Sequence, residues 1–264
     1  MGQLKDTLSL YLGVLKRVGY TMAAGLGSDA ERNRLLSIYQ LYAPGASAED
    51  NIPEDPYILP KTDILELTGN DPAVYQGVNE CGFGHTTEFE LKVISNLVNL
   101  YKPERIFEIG TFQGRTTLNM ALNTTSSAQI VTLDLPSEEL ENTRMRIAVG
   151  EARYVKKDRS GERFLDHPLR SKITQVFGDS ATFDFSPYRQ SMDLVFIDGS
   201  HAYDYVLNDT QKALEMARPG GAILWHDYTN WEGVRDALNE FYQNDPRFRN
   251  LRHIGGTSIA ILRV

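Results

Sequence analysis

Residues 105–121 constrain the fold of this chain more than any other stretch. Ile106, Phe107 and Ile109 predict a short buried strand, and a helical pattern begins near Gly114. Glycines in the turn between them allow the backbone to pass close to a ligand, with helix-start N–H groups directed at it. Such a turn suits a carboxylate, phosphate or ribose, although an ordinary tight turn is the alternative. The spacing Glu-x-Gly-x-x-x-Gly does not meet the dinucleotide fingerprint Gly-x-Gly-x-x-Gly.

Strands and helices alternate from residue 88 to residue 243. An amphipathic helix is predicted at 88–100 and ends before Pro103. The predicted strands are 105–110, 129–134, 172–177, 192–198 and 221–226, and the predicted helices are 114–123, 137–149, 203–217 and 231–243. Residues 153–170 are predicted as a loop with one helical turn. This order predicts an α/β protein with a mostly parallel, doubly wound, Rossmann-like sheet covered on both faces.

Two apolar runs close the sequence. Residues 251–254 and 258–264 are separated by Gly-Gly-Thr, which is typical of a hairpin. We expect this C-terminal hairpin to complete a seven-stranded sheet and to make one edge strand antiparallel.

The first 87 residues are predicted to form an α-helical N-terminal extension, distinct from a main domain at 88–264. Helices are predicted at 4–20 and 29–42, a linker at 43–60, and either a lid or a surface loop at 71–87. We expect this extension to cover an acceptor pocket or to make a subunit contact in a homo-oligomer.

Composition excludes several classes of function. The 264 residues carry 27 Lys and Arg against 35 Asp and Glu, a net charge of -8, which argues against nucleic-acid binding. The single cysteine, Cys81, excludes an intrachain disulfide and a Cys-rich metal site, and fits a cytoplasmic protein. The apolar stretch at 8–26 is interrupted by Lys16 and Arg17, so we expect no membrane span.

Polar residues follow five successive predicted strands, at the end where ligands bind in open α/β sheets. They are Gly110 with Thr116 in the following helix, Asp134, the Gly178-Asp179-Ser180 turn, Asp198 with His201, and His226 with Asp227 and Tyr228. This coincidence predicts a ligand site at that edge of the sheet.

Asp198 and Asp227 end two predicted strands that we expect to be neighbours. Paired carboxylates repel each other unless a proton or cation intervenes, and such oxygen-rich sites suit Mg²⁺. The ion would bind a substrate hydroxyl and lower its pKa, and His201 is placed to take the proton at neutral pH. Alternatively, Asp227 and His201 cap helices. We interpret His226 as a core histidine.

The chain resembles class I S-adenosylmethionine (SAM) dependent O-methyltransferases from about residue 88 to residue 264. The motifs that carry the resemblance are Phe-Glu-Ile-Gly-Thr-Phe-Gln-Gly-Arg-Thr-Thr, Thr-Leu-Asp134, Gly-Asp-Ser180, Phe-Ile-Asp-Gly-Ser-His-Ala-Tyr203 and Arg-Pro-Gly-Gly-Ala-Ile-Leu-Trp-His-Asp227. They are most similar to the metal-dependent natural-product and sugar branch, of the macrocin, mycinamicin and cephalosporin-biosynthesis type, which is related to catechol O-methyltransferases.

The resemblance implies SAM and Mg²⁺ as cofactors and a division of labour among the site residues. It implies His201 as general base with Asp198 as the other catalytic residue, and Asp198 and Asp227 as metal ligands. The residues implied to contact SAM are Glu108, Gly110, Thr111, Gly114, Thr116, Asp134, Leu135, Gly178, Asp179, Ser180 and Asp198.

Three of these SAM contacts also have simpler interpretations. Asp134 lies about 20 residues past the glycine turn and can accept both ribose hydroxyls, or it can be a helix N-terminal acid. Asp179 can bind the adenine amine or cap its own turn. Thr116 can bind the methionine carboxylate or satisfy its own backbone.

One departure from the family concerns the metal site. Catechol-type enzymes have Asn directly after the second metal-binding Asp. This chain has Tyr228 at that position, and we take it as a candidate third metal ligand. The leading hypothesis is Mg²⁺-assisted methyl transfer to a hydroxyl of a small molecule, a sugar or a secondary-metabolite alcohol or phenol. The alternatives are a metal-independent N- or O-methyltransferase and a non-catalytic SAM-binding protein.

Overall fold

The computed structural model describes residues 55–68 and 86–264. The chain divides into two units at Pro56, and the elements given below belong to the second, Tyr57–Val264. The predicted helices at 4–20 and 29–42 lie outside the described residues, as do most of the predicted linker and of the predicted lid or loop at 71–87. The predicted domain boundary after residue 87 stays a prediction.

The described residues form alternating strands and helices. The strands are β1 (Lys61–Thr62), β2 (Arg105–Ile109), β3 (Gln129–Asp134), β4 (Ile173–Phe177), β5 (Met192–Ile197), β6 (Ala217–Trp225), β7 (Arg252–Ile254) and β8 (Ala260–Arg263). The α-helices are α1 (Ile64–Thr68), α2 (Glu88–Tyr101), α3 (Arg115–Asn123), α4 (Ala152–Val155), α5 (Glu162–Leu165), α6 (Tyr203–Met216) and α7 (Glu232–Asn244). Short 3₁₀ turns cover Ser137–Asn142, Pro168–Lys172, Ser186–Tyr188 and Pro246–Phe248.

The strands form one sheet in the order β1-β7-β8-β6-β5-β2-β3-β4. Strand β8 is antiparallel to both of its neighbours, and the other pairings are parallel. The chain order reverses between β2 and β5, so a crevice opens beyond the carboxyl ends of these two strands. The predicted α/β class, with a mostly parallel sheet and an antiparallel C-terminal strand, is confirmed.

The sheet differs from the prediction in two details at its β1 edge. It has eight strands, because the two-residue β1 pairs with β7, and a strand that short carries no periodicity in the sequence. The antiparallel strand is also not an edge strand, because β8 is inserted between β6 and β7. Ala260, Ile261 and Leu262 are all buried, so β8 is covered on both faces and suits an interior position.

The helix predicted at 137–149 is wrong beyond a short 3₁₀ turn, Ser137–Asn142. Backbone N–H groups in this stretch donate to carboxylates instead of forming a helical ladder. Arg144 N donates to Asp179 Oδ2 (2.7 Å) and Ala148 N donates to Glu151 Oε2 (2.7 Å). Side-chain acceptors that compete with the backbone in this way oppose helix formation.

The core lies on both faces of the sheet. On β5, Leu194 and Phe196 pack into the cluster beneath α2 and α3, whereas Val195 and Ile197 pack into the cluster that includes buried residues of α6 and α7. Each of these side chains is at most 5% exposed. The strand ends are therefore held rigidly, and the polar loops that follow them meet at one edge.

Candidate active site

The turn after β2 lies directly against the turn after β5. Gly110 has φ +99°, and a Cβ atom there would lie 1.9 Å from the carbonyl oxygen of Asp198. Hydrogen bonds fix the contact, since Gly110 N donates to Leu133 O and Asp198 N donates to Ile109 O, each at 2.8 Å. A residue without a side chain is required here both for its backbone conformation and for space.

Gly114 has a structural role. It precedes α3 with φ +80°, and an added Cβ would lie 2.5 Å from the ring of Phe164 in α5. It is not among the residues that line the cavity described next. The predicted SAM contact at this position stays a prediction, while the packing contact with Phe164 is sufficient to require glycine.

A cavity of about 350 Å³ opens at the crevice between β2 and β5. Its wall contains residues from the loops after all five strands β2 to β6. The predicted SAM contacts that line it are Gly110, Thr111, Thr116, Asp134, Leu135, Gly178, Asp179, Ser180 and Asp198. The structure therefore brings together the predicted SAM contacts from separate strand ends, except Glu108 and Gly114.

Glu108 is buried beneath the cavity. The residue is only 1% exposed, and its carboxylate accepts hydrogen bonds from the hydroxyls of Thr117 and Thr132. Burial raises its pKa to about 8, although the two hydroxyls act in the opposite direction. Glu108 therefore ties β2 to β3 and α3, and we assign it this structural role.

We expect Glu108→Gln to change how stability depends on pH. Between pH 4.5 and about 8 the folded protein keeps the Glu108 proton, whereas the unfolded chain has lost it. The unfolding free energy contributed by this group therefore falls as pH rises, by about 1.4 kcal/mol per pH unit. Urea unfolding at several pH values in this window should show that slope in the wild type and its loss in the variant. Identical slopes would contradict the assignment.

Asp134 lies at the carboxyl end of β3 with both oxygens engaged. Oδ1 accepts from the backbone N–H groups of Thr111 and Phe112 (3.3 Å each). Oδ2 accepts from Ser160 Oγ (2.5 Å) and pairs with Lys157 Nζ (2.7 Å). The side chain thus joins the glycine turn to the segment before α5, where the sequence predicted a loop with one helical turn.

Asp179 is similarly fixed in the turn after β4. Oδ1 accepts from the hydroxyl of Tyr205 and from Ala181 N, both at 2.9 Å, and Oδ2 accepts from Arg144 N. The hydrogen bond from Ala181 N forms the capped turn, which the sequence analysis gave as the alternative to adenine binding by Asp179. Asp179 also lines the cavity, so this turn presents its carboxylate to the enclosed volume.

Asp198, His201 and Asp227 form one cluster, with one donor atom from each within 4.8 Å of the others. His201 Nε2 lies 2.8 Å from Asp227 Oδ2 and 4.0 Å from Asp198 Oδ1. Asp227 has φ +65°, a conformation that non-glycine residues adopt mainly where surrounding contacts enforce it. The predicted adjacency of the two carboxylates is therefore found in the structure.

His201 is held on three sides. Its Nδ1 lies 2.5 Å from Glu151 Oε1, its ring stacks on Trp231 with centroids 4.6 Å apart, and its Nε2 faces Asp227. Burial lowers the pKa of His201, but Asp227 and Glu151 outweigh it and raise the pKa to about 9. The raised pKa favours the protonated ring in the absence of an added positive charge, and the predicted role of His201 as proton acceptor stays a prediction.

His226 also belongs to this cluster. It is 7% exposed and lines the cavity, with Nδ1 3.4 Å from Asp198 Oδ1 and 3.2 Å from Asp227 Oδ2. Its Nε2 lies 3.3 Å from Glu90 Oε2. The interpretation of His226 as a core histidine explains why the residue is buried. It does not explain why its ring lies against the two carboxylates.

Tyr228 faces away from the cluster. Its hydroxyl donates to Asn239 Oδ1 (2.8 Å) and accepts from Leu59 N (3.2 Å), and it is not among the cavity-lining residues. Tyr228 therefore does not contribute to the candidate metal site, in contrast to the expectation from the sequence.

Sequence reasoning missed four side chains at this site: Glu90, Glu151, Lys157 and Trp231. The sequence did contain a signal for Glu90. It is a carboxylate among the apolar residues of a predicted amphipathic helix, and it is also the third helical residue of a Thr-x-x-Glu capping box. Glu151 and Lys157 had none, because their partners lie 50 and 23 positions away in the chain.

Residues 107–228 match the Methyltransf_24 family, described as a methyltransferase domain. The match begins in β2 and ends just after β6, so it contains the strand ends that line the cavity. An uncharacterized protein of Acanthamoeba polyphaga mimivirus is 26% identical over 158 residues, which are 58% of this chain. The matched part spans 66% of that protein, slightly less than two thirds of its length.

Solved structures share the fold. SAH-bound methyltransferase PaMTH1 of Podospora anserina has a TM-score of 0.51 and 18% identity, covering 68% of this chain and 79% of that one. An O-methyltransferase of Bacillus cereus in complex with SAH has a TM-score of 0.47 and 17% identity, covering 69% and 84%. The predicted Rossmann-like fold is confirmed, and the match of residues 107–228 to a methyltransferase domain supports the predicted class.

Proposed function

We propose that this protein transfers a methyl group from SAM to a hydroxyl of a small molecule, with the help of a divalent cation. The observation that carries the proposal is that one cavity is lined both by the glycine turn with Asp134 and by the pair Asp198 and Asp227. The first group suits a methyl donor with a ribose and a carboxylate. The second suits a cation and a hydroxylated acceptor.

The donor half of the cavity supports SAM. Asp134 stands where a ribose would lie, and its carboxylate can accept hydrogen bonds from two hydroxyls once Ser160 and Lys157 yield. Thr116 lines the cavity at the start of α3, where its hydroxyl shares a hydrogen bond with Thr86 (3.0 Å), and a carboxylate can bind at such a helix start. Asp179 and Ser180 line the cavity at the turn after β4, where they can receive the adenine.

The residues of the cluster fit a divalent cation. The two carboxylates of Asp198 and Asp227 balance the two positive charges of such an ion. Among the described residues, His201 Nε2 and His226 Nδ1 are also buried without a hydrogen bond of good geometry. A cation bound by Asp198 and Asp227 would supply a positive charge that lowers the pKa of an acceptor hydroxyl. The predicted ion is Mg²⁺.

His201 is the proposed proton acceptor for that hydroxyl. Glu151 holds the ring through Nδ1, and Trp231 fixes its plane, so Nε2 is the nitrogen presented beside Asp227. Asp227 and Glu151 raise the pKa of this imidazole to about 9. The raised pKa favours a charged partner in the site over His201 acting without a metal.

The proposal is tested by a screen of hydroxylated sugars, alcohols and phenols with methyl-labelled SAM. We expect label on an oxygen of one acceptor class, loss of transfer with EDTA and recovery with Mg²⁺. Transfer that persists in EDTA would favour the metal-independent alternative. Binding of SAM without transfer to any acceptor would favour a non-catalytic role.

We expect Asp134→Ala to weaken SAM binding by about 10- to 100-fold, because charge-assisted hydrogen bonds contribute about 1.5–3 kcal/mol. Titration calorimetry with SAM measures the effect. Asp166→Ala is the matched control, since that carboxylate has an 82% exposed side chain outside the cavity. Unchanged SAM affinity in Asp134→Ala would remove the ribose role.

Three further expectations remain proposals: a small-molecule acceptor, a homo-oligomeric state and a cytoplasmic location. Among the helices at residues 55–68 and 86–264, none has both the length and the apolar character needed to cross a membrane.

A further inference from the structure

We infer that His226, oriented by Glu90, is a third protein ligand of the cation and that the site therefore favours a first-row transition ion such as Mn²⁺ over Mg²⁺. This inference rests on the proposed function, which supplies the cation, and it specifies the ion and its ligands.

The position of the His226 ring is the first argument. Its Nδ1 lies within 3.4 Å of one oxygen from each aspartate, Asp198 Oδ1 and Asp227 Oδ2. The residue is 93% buried, and within the described part of the chain Nδ1 has no hydrogen bond of good geometry. A buried nitrogen directed at two carboxylates without such a bond is costly, and a shared cation removes the cost.

The second argument is the tautomer that Glu90 selects. Glu90 Oε1 accepts from Ser258 N (2.7 Å) and Ser258 Oγ (2.6 Å), while Oε2 accepts from Thr87 N (3.0 Å) and Thr87 Oγ1 (2.8 Å). The carboxylate is thus fixed and lies 3.3 Å from His226 Nε2. In the neutral imidazole the proton belongs on Nε2 towards Glu90, and the lone pair of Nδ1 faces the two aspartates.

This arrangement has the form of a carboxylate–histidine–metal triad, in which an outer carboxylate orients the ligand ring. Imidazole nitrogen beside carboxylate oxygens suits Mn²⁺, Fe²⁺, Co²⁺ or Zn²⁺, whereas Mg²⁺ prefers oxygen ligands and retained water. A site with His226 as a ligand should therefore bind Mn²⁺ more tightly than Mg²⁺.

The test uses the full chain stripped of metal and titrated with Mn²⁺, with bound ion measured by electron paramagnetic resonance. Pulsed spectra of the bound ion report ¹⁴N coupling from a coordinated imidazole. We expect coupling in the wild type and in His201→Ala, and its loss in His226→Ala. Because the spectra are recorded on the bound ion, partial unfolding of a variant does not imitate this result.

The affinity of the protein for Mn²⁺ is the second measurement. Glu90→Gln, which keeps the shape of the orienting side chain, should weaken Mn²⁺ binding by about 10- to 100-fold. His226→Ala should also reduce the preference for Mn²⁺ over Mg²⁺. Circular dichroism checks that each variant is folded.

The outcomes distinguish the proposed cation from the inferred role of His226 as its ligand. Mn²⁺ that binds the wild type and shows the same ¹⁴N coupling in His226→Ala overturns the role of His226 and leaves the proposed cation intact. Absence of any Mn²⁺ or Mg²⁺ binding to the wild type overturns both the cation and this inference, while methyl transfer can still be measured with labelled SAM.

Discussion

Replacing His201 with alanine should lower the rate of methyl transfer by about 10²- to 10⁴-fold, the usual contribution of a general base. The affinity for SAM should change little, because the imidazole acts on the acceptor side, beside Asp227 and against Trp231. Turnover of labelled SAM with an acceptor from the screen gives the rate, and calorimetry gives the SAM affinity.

The control for this variant is His167→Ala, which removes a histidine that is not among the cavity-lining residues. Its turnover should equal that of the wild type. If His201→Ala lost SAM affinity and turnover to the same extent, the residue would be structural. Glu151→Gln is informative beside it, because it removes the charge next to Nδ1 and keeps the size of the side chain.

Replacing Gly110 with alanine should destabilise the fold by at least about 3 kcal/mol, since it combines a strained backbone with overpacking. The new Cβ would lie 1.9 Å from the carbonyl oxygen of Asp198 and 2.5 Å from its carbonyl carbon, and backbone atoms cannot move aside as a side chain can. The displacement would also carry Asp198 away from Asp227. Thermal unfolding should show a melting temperature lower by roughly 6–12 °C.

Gly150→Ala is a matched control for this prediction. Gly150 has φ +93°, close to that of Gly110, but an added Cβ there meets nothing within 4 Å. The control therefore measures the backbone strain alone, and the difference between the variants measures the clash. Equal losses of stability in both would mean that the contact between the turns after β2 and β5 is not close.

The part of the cavity wall formed by the glycine turn and Asp134 was predictable because its signals are local. The apolar run of β2, the glycines after it and the acid after β3 lie within 30 residues of one another, and each follows from the strand–turn–helix pattern. The adjacency of Asp198 and Asp227 was predictable for a related reason: both end strands that pair in parallel register. Neither inference needed side-chain coordinates.

The surroundings of His201 and His226 were much less predictable. Glu151 reaches His201 from 50 positions earlier, and Glu90 reaches His226 from 136 positions earlier. The helix predicted at 137–149 gave way to a loop because Asp179 and Glu151 take its backbone N–H groups. Charges brought together in this way also raise the pKa of His201 to about 9.

By itself, the sequence determined the order of strands and helices, the edge of the sheet where ligands bind, and the residue types at that edge. These depend on periodicity and turn chemistry, which act over a few residues. Only the tertiary structure decided that Tyr228 faces away, that His226 faces the two aspartates and that β8 lies inside the sheet. Those outcomes depend on burial and on electrostatic contacts between segments far apart in the chain, which no local pattern encodes.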